Sequence, residues 1–311
     1  MPYASALPLL ASLLASLLAA AAGAAALLQY DLSSPPARQI VLPRELTEVS
    51  GLAVDAQGRL LAHGDEAAVV HEVDPRTGAI ARSWTIRGGA DVGSGGGEGK
   101  SKKGDGKKGK KDGGGKSAGG AGGALRGDFE DIAVVDGTVW LATSDGLLYE
   151  TRLEDGTATR HDTGLARACE VEGLAWDPGP RRFVLLCKTP RLAAWRGHVV
   201  AVAWDPAARR LDARPRFAVP YTSLARVTGA RAFGASALAR LPDGSGWVMV
   251  AGPENAWAQI GPTGQLRRGG RLGASFHRQP EGLVVLRDGT LLVADEAGTR
   301  RPTLSAYSPR R

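Results

Sequence analysis

The stretch QPEGLVVLRDGTLLVADEAG, Gln279 to Gly298, decides how this chain reads. Glu281 precedes Gly282, and an apolar run follows over residues 283–286. Asp288-Gly289 is a hairpin turn signal. A second apolar run, 291–294, ends in Asp295-Glu296. The same unit occurs four times upstream. Ser50-Gly51-Leu52-Ala53-Val54-Asp55 passes through Gly58 into residues 60–62 and Asp65-Glu66. Glu130-Asp131-Ile132-Ala133 passes through Asp136-Gly137 into 139–142 and Asp145. Glu172-Gly173-Leu174-Ala175-Trp176-Asp177 turns into 183–186. Ser236-Ala237-Leu238-Ala239 passes through Asp243-Gly244 into 247–250. A period of roughly 40–50 residues leaves room for several strands per copy, which means a propeller blade rather than a solenoid turn. The spacing predicts an all-β fold, a β-propeller of four-stranded blades. Five blades are visible, and six stay open.

Outward from the repeats, the first and third copies continue into third and fourth strands. These lie over 69–73 and 80–86, then 199–204 and 215–219. The last copy has a third strand near 304–307, and then the chain stops. Residues 39–42 form a short apolar strand ahead of the first repeat. Placed beside the last blade, it closes the ring and removes an open edge. The propeller domain is therefore read as 38–311.

Residues 4–28 are apolar and uncharged, long enough to cross a bilayer as a helix. The segment 1–28 reads as a signal peptide or a membrane anchor, with small-residue cleavage positions near Ala22 to Ala26 but no basic residue ahead of the run. Either reading predicts export to the periplasm or the cell envelope. Membrane association follows if the segment stays on the chain. Residues 29–37 read as a tether. Between copies one and two, residues 88–124 are almost entirely Gly, Lys, Ser, Ala and Asp. They cannot bury enough apolar surface to order themselves and are expected to be a disordered insertion.

The formal net charge of +7 comes largely from that insertion, which holds every lysine except Lys188. There is no basic stripe with interleaved aromatics, so nucleic acid is a poor partner. Gly99-Lys100-Ser101 lacks the first glycine and the strand-to-helix setting of a phosphate loop. Gly115-Lys116-Ser117-Ala118-Gly119 likewise cannot form a nucleophile elbow inside a low-complexity run.

Cys169 and Cys187 flank the third hairpin. Counting outward from a turn near residue 178 puts them opposite one another, within disulfide reach. Export permits oxidation. Two small buried thiols are the alternative, since a bulge would shift the register.

The repeated E/S-G-L-A-x-D unit, the acid after the second strand and the apolar leader resemble the SdiA-regulated family of exported β-propellers. The matching segments are Leu46 to Leu52, Asp128 to Ala133, Cys169 to Leu174 and Gln279 to Leu283, and the likeness covers about residues 38–308 outside the insertion. More distantly, the repeats look like gluconolactonase, paraoxonase and esterase-like phytase propellers. The resemblance implies a five- or six-bladed propeller, periplasmic or membrane-associated, with no settled activity.

In a propeller the first strand of each blade lines the central channel. The residue before each Gly-Leu unit then sits at one end of it: Ser50, Glu130, Glu172, Ser236 and Glu281. These are the candidate ligand-binding residues. Three carboxylates facing one channel repel at low dielectric. A bound cation, arginine partners or raised pKa values would relieve them. Oxygen ligands without clustered His or Cys favour calcium. The candidate metal ligands are Glu130, Glu172 and Glu281, with Asp65, Asp145 and Asp295 from the second strands. Equally, these acids cap strand backbones or pair with basic neighbours. Two functions follow. One is an exported propeller that binds a ligand or protein partner at its channel mouth, with calcium as the candidate cofactor. The other is a calcium-dependent lactonase, esterase or phosphoesterase-type hydrolase. No catalytic residue is identifiable, and whether the protein is an enzyme stays open.

Overall fold

A computed structural model describes residues 28–92 and 123–310. The apolar leader and most of the Gly/Lys-rich insertion lie outside the described residues. Five antiparallel-based sheets form a ring, each built on one of the five sequence copies. The fold is a five-bladed β-propeller.

Strand β1 (Arg38–Val41) precedes the first blade, which contains β2 (Val49–Val54), β3 (Leu60–Gly64), β4 (Val69–Val73) and β5 (Ile80–Thr85). Strand β6 (Arg87–Val92) leads to the second blade, β7 (Phe129–Val135), β8 (Thr138–Thr143), β9 (Leu147–Thr151) and β10 (Thr157–Asp162). The third holds β11 (Cys169–Asp177), β12 (Arg182–Pro190), β13 (His198–Asp205), β14 (Arg210–Leu211) and β15 (Phe217–Pro220). Helix α1 (Tyr221–Thr228) follows. The fourth holds β16 (Ala237–Arg240), β17 (Trp247–Ala251), β18 (Ala256–Ile260) and β19 (Leu266–Arg271). The fifth holds β20 (Pro280–Val285), β21 (Leu291–Asp295) and β22 (Thr303–Tyr307). The turn chemistry matches the hairpins. Asp136 and Gly137, between β7 and β8, both have positive φ, 50° and 78°, as a tight primed turn requires.

The ring closes as its chain order demands. β1 pairs antiparallel with β22, Ile40 opposite Leu304 and Val41 opposite Thr303. The last blade thus takes its outer strand from the chain's other end.

Three expectations change. Residues 29–37 are not a tether: Tyr30 and Leu32 are fully buried in the core between blades four and five. The Tyr30 hydroxyl donates to the Gly289 carbonyl at 2.7 Å. The insertion also starts later than expected, because residues 87–92 form β6, which adds a parallel fifth strand to β10. Backbone hydrogen bonding to an existing edge holds this polar, glycine-rich segment, where side-chain burial could not. Finally, α1 interrupts the all-β pattern. It packs Leu224 into the core between blades three and four and ends at Gly229 in a left-handed conformation.

Apolar faces meet between blades, giving five separate cores, one at each blade junction. The motif glycines mark where inner strands touch. A Cβ on Gly173 would lie 3.2 Å from Leu238 Cβ in the next blade, and one on Gly282 would lie 2.9 Å from Leu52 Cγ.

Cys169 and Cys187 are joined in a disulfide with a Cα–Cα separation of 5.6 Å. They are not directly opposed, however. Cys169 faces Pro190 and Cys187 faces Val171, because two register shifts intervene at Glu170 to Gly173. The bulged strand carries the two sulfurs together along a diagonal.

Candidate functional site at the channel mouth

The same irregularity recurs at the start of the inner strand in four blades. β2 skips from Val49 to Gly51 against its partner, β7 from Phe129 to Asp131, β11 from Val171 to Gly173 and β20 from Pro280 to Gly282. The unpaired residues are Ser50, Glu130, Glu172 and Glu281. A β-bulge re-aims one side chain at a strand end, and here it does so at one level of the propeller. The fourth blade lacks the bulge. Ser236 precedes β16, and its hydroxyl donates to the Pro280 carbonyl at 2.6 Å and accepts from the Gly252 amide at 3.1 Å. This serine ties blade four to blade five. Ser50 is buried at the equivalent place in blade one.

The register also sorts the second-strand residues. Gly64, Thr143, Cys187 and Asp295 pair at one level, opposite Val49, Phe129, Val171 and Pro280. The next residue outward is therefore Asp65, Ser144, Lys188 and Glu296. Asp65, Asp145 and Asp295 do not form one ring. Asp295 turns away from the mouth into blade five. Its Oδ2 is 2.7 Å from His277 Nδ1, and its Oδ1 accepts from the Arg278 amide at 2.9 Å. His277 Nε2 lies 2.6 Å from the Tyr307 hydroxyl. Burial pushes that phenol's pKa up, with Asp295 adding to it. Asp145 accepts from the Thr143 hydroxyl beside it.

The residue that sequence reading left out of the site is Lys188. Its Nζ is 2.8 Å from Glu172 Oε1. Burial alone would lower its pKa, but the bond to Glu172 and the charges of Glu172, Glu281 and Glu130 outweigh that and hold it above its ordinary range. Glu172 is almost fully buried. Burial raises its pKa, while Lys188 and a hydrogen bond from Glu130 oppose the shift. Glu130 is pushed well above the carboxylate range by burial first and then by the Glu172 charge. Burial and Glu172 raise Glu281 to about 8. Burial, Asp65 and Glu48 raise Glu296 to about 7. Asp65 is also raised, chiefly by burial. Lys188 is bonded to Glu172 at the mouth, and at neutral pH the neighbouring Glu130 is protonated and Glu281 largely so. Lys188 was visible in sequence as the basic exception at the end of a second strand. Nothing local said that it points inward.

Calcium does not fit this donor set. Lys188 sits among the glutamates, and the register disperses Asp145 and Asp295. Among the described residues no three His, Cys, Asp or Glu side chains gather as a metal-ligand group. An ammonium and shifted protonation relieve the repulsion.

Beneath the bulges, blade two carries Asp131 where blades one, three and five have glycine. Asp131 is buried, and burial holds its pKa far above the usual value. Its Oδ2 accepts from the Leu174 amide of blade three at 2.6 Å and its Oδ1 from its neighbour Ile132 at 2.8 Å. Gly51 makes room for it. An added Cβ there would lie 2.8 Å from Asp131 Oδ1 and 2.5 Å from His63 Nε2. His63 is fully buried, and desolvation lowers its pKa to about 4, so the ring is neutral.

No helix among the described residues is long and apolar enough to cross a membrane. No family model matches the chain, and no curated protein sequence does. Among solved structures the chain is similar to a glutaminyl cyclase from Myxococcus xanthus, with a TM-score of 0.53, 12% identity and coverage of 89% of this chain and 98% of that one. It is also similar to a luciferin-regenerating enzyme (TM-score 0.49, 11% identity, 84% and 91% covered). A third is a PQQ-bound aldose sugar dehydrogenase from Streptomyces coelicolor (TM-score 0.47, 14% identity, 89% and 100% covered). At such identities the likeness shows the fold alone: this chain has the β-propeller fold of the glutaminyl cyclase.

Proposed function

We propose that the protein is an exported β-propeller that binds a small ligand carrying a basic nitrogen at its acidic channel mouth. The observation that carries this reading is the balance of groups there: Glu130, Glu172, Glu281, Glu296 and Asp65 stand against the single ammonium of Lys188. A second ammonium entering the cluster would be met by carboxyl groups that ionise as it arrives. Binding would then release protons. Export is supported by the disulfide, which needs an oxidising compartment. The apolar leader and the motif likeness to SdiA-regulated proteins support it too. Calorimetric titration with primary amines, from ethanolamine to tyramine, in two buffers of different ionisation enthalpy tests the reading. Saturable binding with proton release, lost in Glu281→Gln, is expected. An absence of heat at millimolar amine, or binding indifferent to Glu281→Gln, would reject it.

A hydrolase is the second reading, favoured by one feature. Glu130 and Glu172 are neighbouring carboxyls, the first kept protonated by burial and the second bonded to Lys188. Groups pushed apart in this way can serve as general acid and general base. Turnover of lactones or aryl esters that falls in both Glu130→Gln and Glu172→Gln would favour catalysis over binding alone.

A further inference from the structure

A second cavity lies on the propeller axis, on the far side of the motif glycines from the acidic mouth. Its volume is about 120 Å³, and it is lined by three consecutive residues from the inner strand of every blade: 52–54, 132–134, 174–176, 238–240 and 283–285. None of the mouth residues contributes to it. The side chains that line it are apolar apart from Arg240 and the indole of Trp176.

Among the described residues, Arg240 pairs with no carboxylate that it does not share. Its Nε donates to Asp177 Oδ1 at 3.0 Å, but Asp177 Oδ2 is already taken by Arg216 Nη2 at 2.9 Å. Two guanidinium groups share one buried carboxylate, which leaves one positive charge over. Both guanidiniums also lie 5.9 Å from the Trp247 ring centre, so packing fixes their positions.

An apolar socket with one excess guanidinium recognises an apolar body bearing a carboxylate. The socket's size sets the body. At about 120 Å³ the space is somewhat smaller than the roughly 150 Å³ that encloses a benzene ring, so it takes a short chain or a ring that enters in part, and drug-sized ligands, which need roughly 300 Å³ or more, are excluded. We propose that the far end of the channel is a second binding site, which takes a small carboxylate with a single ring or a short aliphatic chain. The apolar part fills the space enclosed by the five inner strands. The carboxylate accepts charge-assisted hydrogen bonds from Arg240.

Benzoate and hexanoate are the probes, with benzyl alcohol and benzamide as controls, followed by ligand-observed NMR and thermal shift on the whole protein. The expected result is saturable benzoate binding, with weaker binding of the uncharged benzyl alcohol and benzamide. Arg240→Gln should weaken benzoate by about tenfold or more, as loss of a hydrogen bond between charged groups does, while leaving benzyl alcohol unchanged. Val54 lines the cavity and is only half-buried, so Val54→Phe should fill the space and abolish benzoate binding in a folded protein. Glu172→Gln, at the other end, should leave the affinity for benzoate unchanged whatever it does at the mouth. Should Arg240→Gln fail to fold, Val54→Phe and the benzoate-to-benzamide contrast decide alone. Benzamide binding as tightly as benzoate, benzoate binding that survives Val54→Phe, or benzoate binding lost in Glu172→Gln would each overturn the proposal.

Discussion

Lys188 Nζ lies 2.8 Å from Glu172 Oε1, across the first hairpin of the third blade. The side chains are 29% and 4% exposed, so the pair is largely removed from water. It supplies the positive charge that the surrounding carboxyls need, and the first prediction follows from it.

Lys188→Met leaves Glu172 buried without its cation. Losing one partner of a pair buried to this degree destabilises by about 2–4 kcal/mol. The variant should melt lower than wild type. Millimolar calcium should then raise its melting temperature, because an external cation can take the vacated position. Wild type should show no calcium shift. A shift of equal size in both proteins would mean that the ion binds elsewhere or tolerates Lys188.

The raised carboxyls set a pH dependence. Glu281 and Glu296 keep their protons to about pH 8 and about pH 7 in the folded chain, against an ordinary 4.5. Between those values the folded state binds more protons than the unfolded state, so stability falls as pH rises. Denaturant titrations should show a decline of roughly 6 kcal/mol from pH 5 to pH 8. Glu281→Gln should flatten the upper part of that decline and be more stable than wild type at pH 8. A stability that rises across this window would contradict the assignment.

Closure makes a graded truncation series informative. Deleting residues 1–43 removes β1 and leaves β22 as an open edge, so this protein should aggregate. Deleting residues 1–34 keeps β1 but removes Tyr30 and Leu32, both fully buried. It should therefore be destabilised while keeping its strand. Tyr30→Ala alone should cost about 3–5 kcal/mol, as large-to-small changes of buried aromatics do. Equal melting of full-length and 35–311 protein would show that the segment contributes nothing.

Gly51→Ala tests the contact between blades one and two. Its new methyl would press on His63 Nε2 at 2.5 Å and on the Asp131 carboxylate at 2.8 Å, both buried. Overpacking of this kind costs about 1–3 kcal/mol. Gly58→Ala is no control, since its φ of +83° adds backbone strain. Ala53→Gly, in the same strand, serves better. A Gly51→Ala protein that melts like wild type would mean the inner strands can part without loss.

The disulfide spans 18 residues of sequence. Closing a loop of that length stabilises by about 3 kcal/mol through the unfolded state. Reduction should lower the denaturation midpoint accordingly, and unfolded, unreduced protein should expose no thiol.

By itself the sequence determined the fold and the location of the mouth. Alternating apolar runs, Asp-Gly turns and a fixed period are local signals. Five hairpins that cannot bury their faces alone have one common solution, a ring. The missing outer strand in the last copy and the extra strand at 39–42 determined closure by the same counting. The bulged positions Glu130, Glu172 and Glu281 could also be read off, because each precedes a motif glycine.

Tertiary structure alone decided what those carboxyls face. Whether Lys188 neutralises Glu172 depends on register, and one bulge moves every later residue to the opposite side. The same register separated Asp295 from the mouth and delivered it to His277. Tyr30 and Leu32 carry no repeat signal, so their burial depends on a cleft that exists only when blades four and five pack together. Arg240 and Asp177 come from different blades, and their meeting beside the axial cavity is likewise a product of the closed ring. Contacts between blades join residues far apart in sequence, and no local pattern records them.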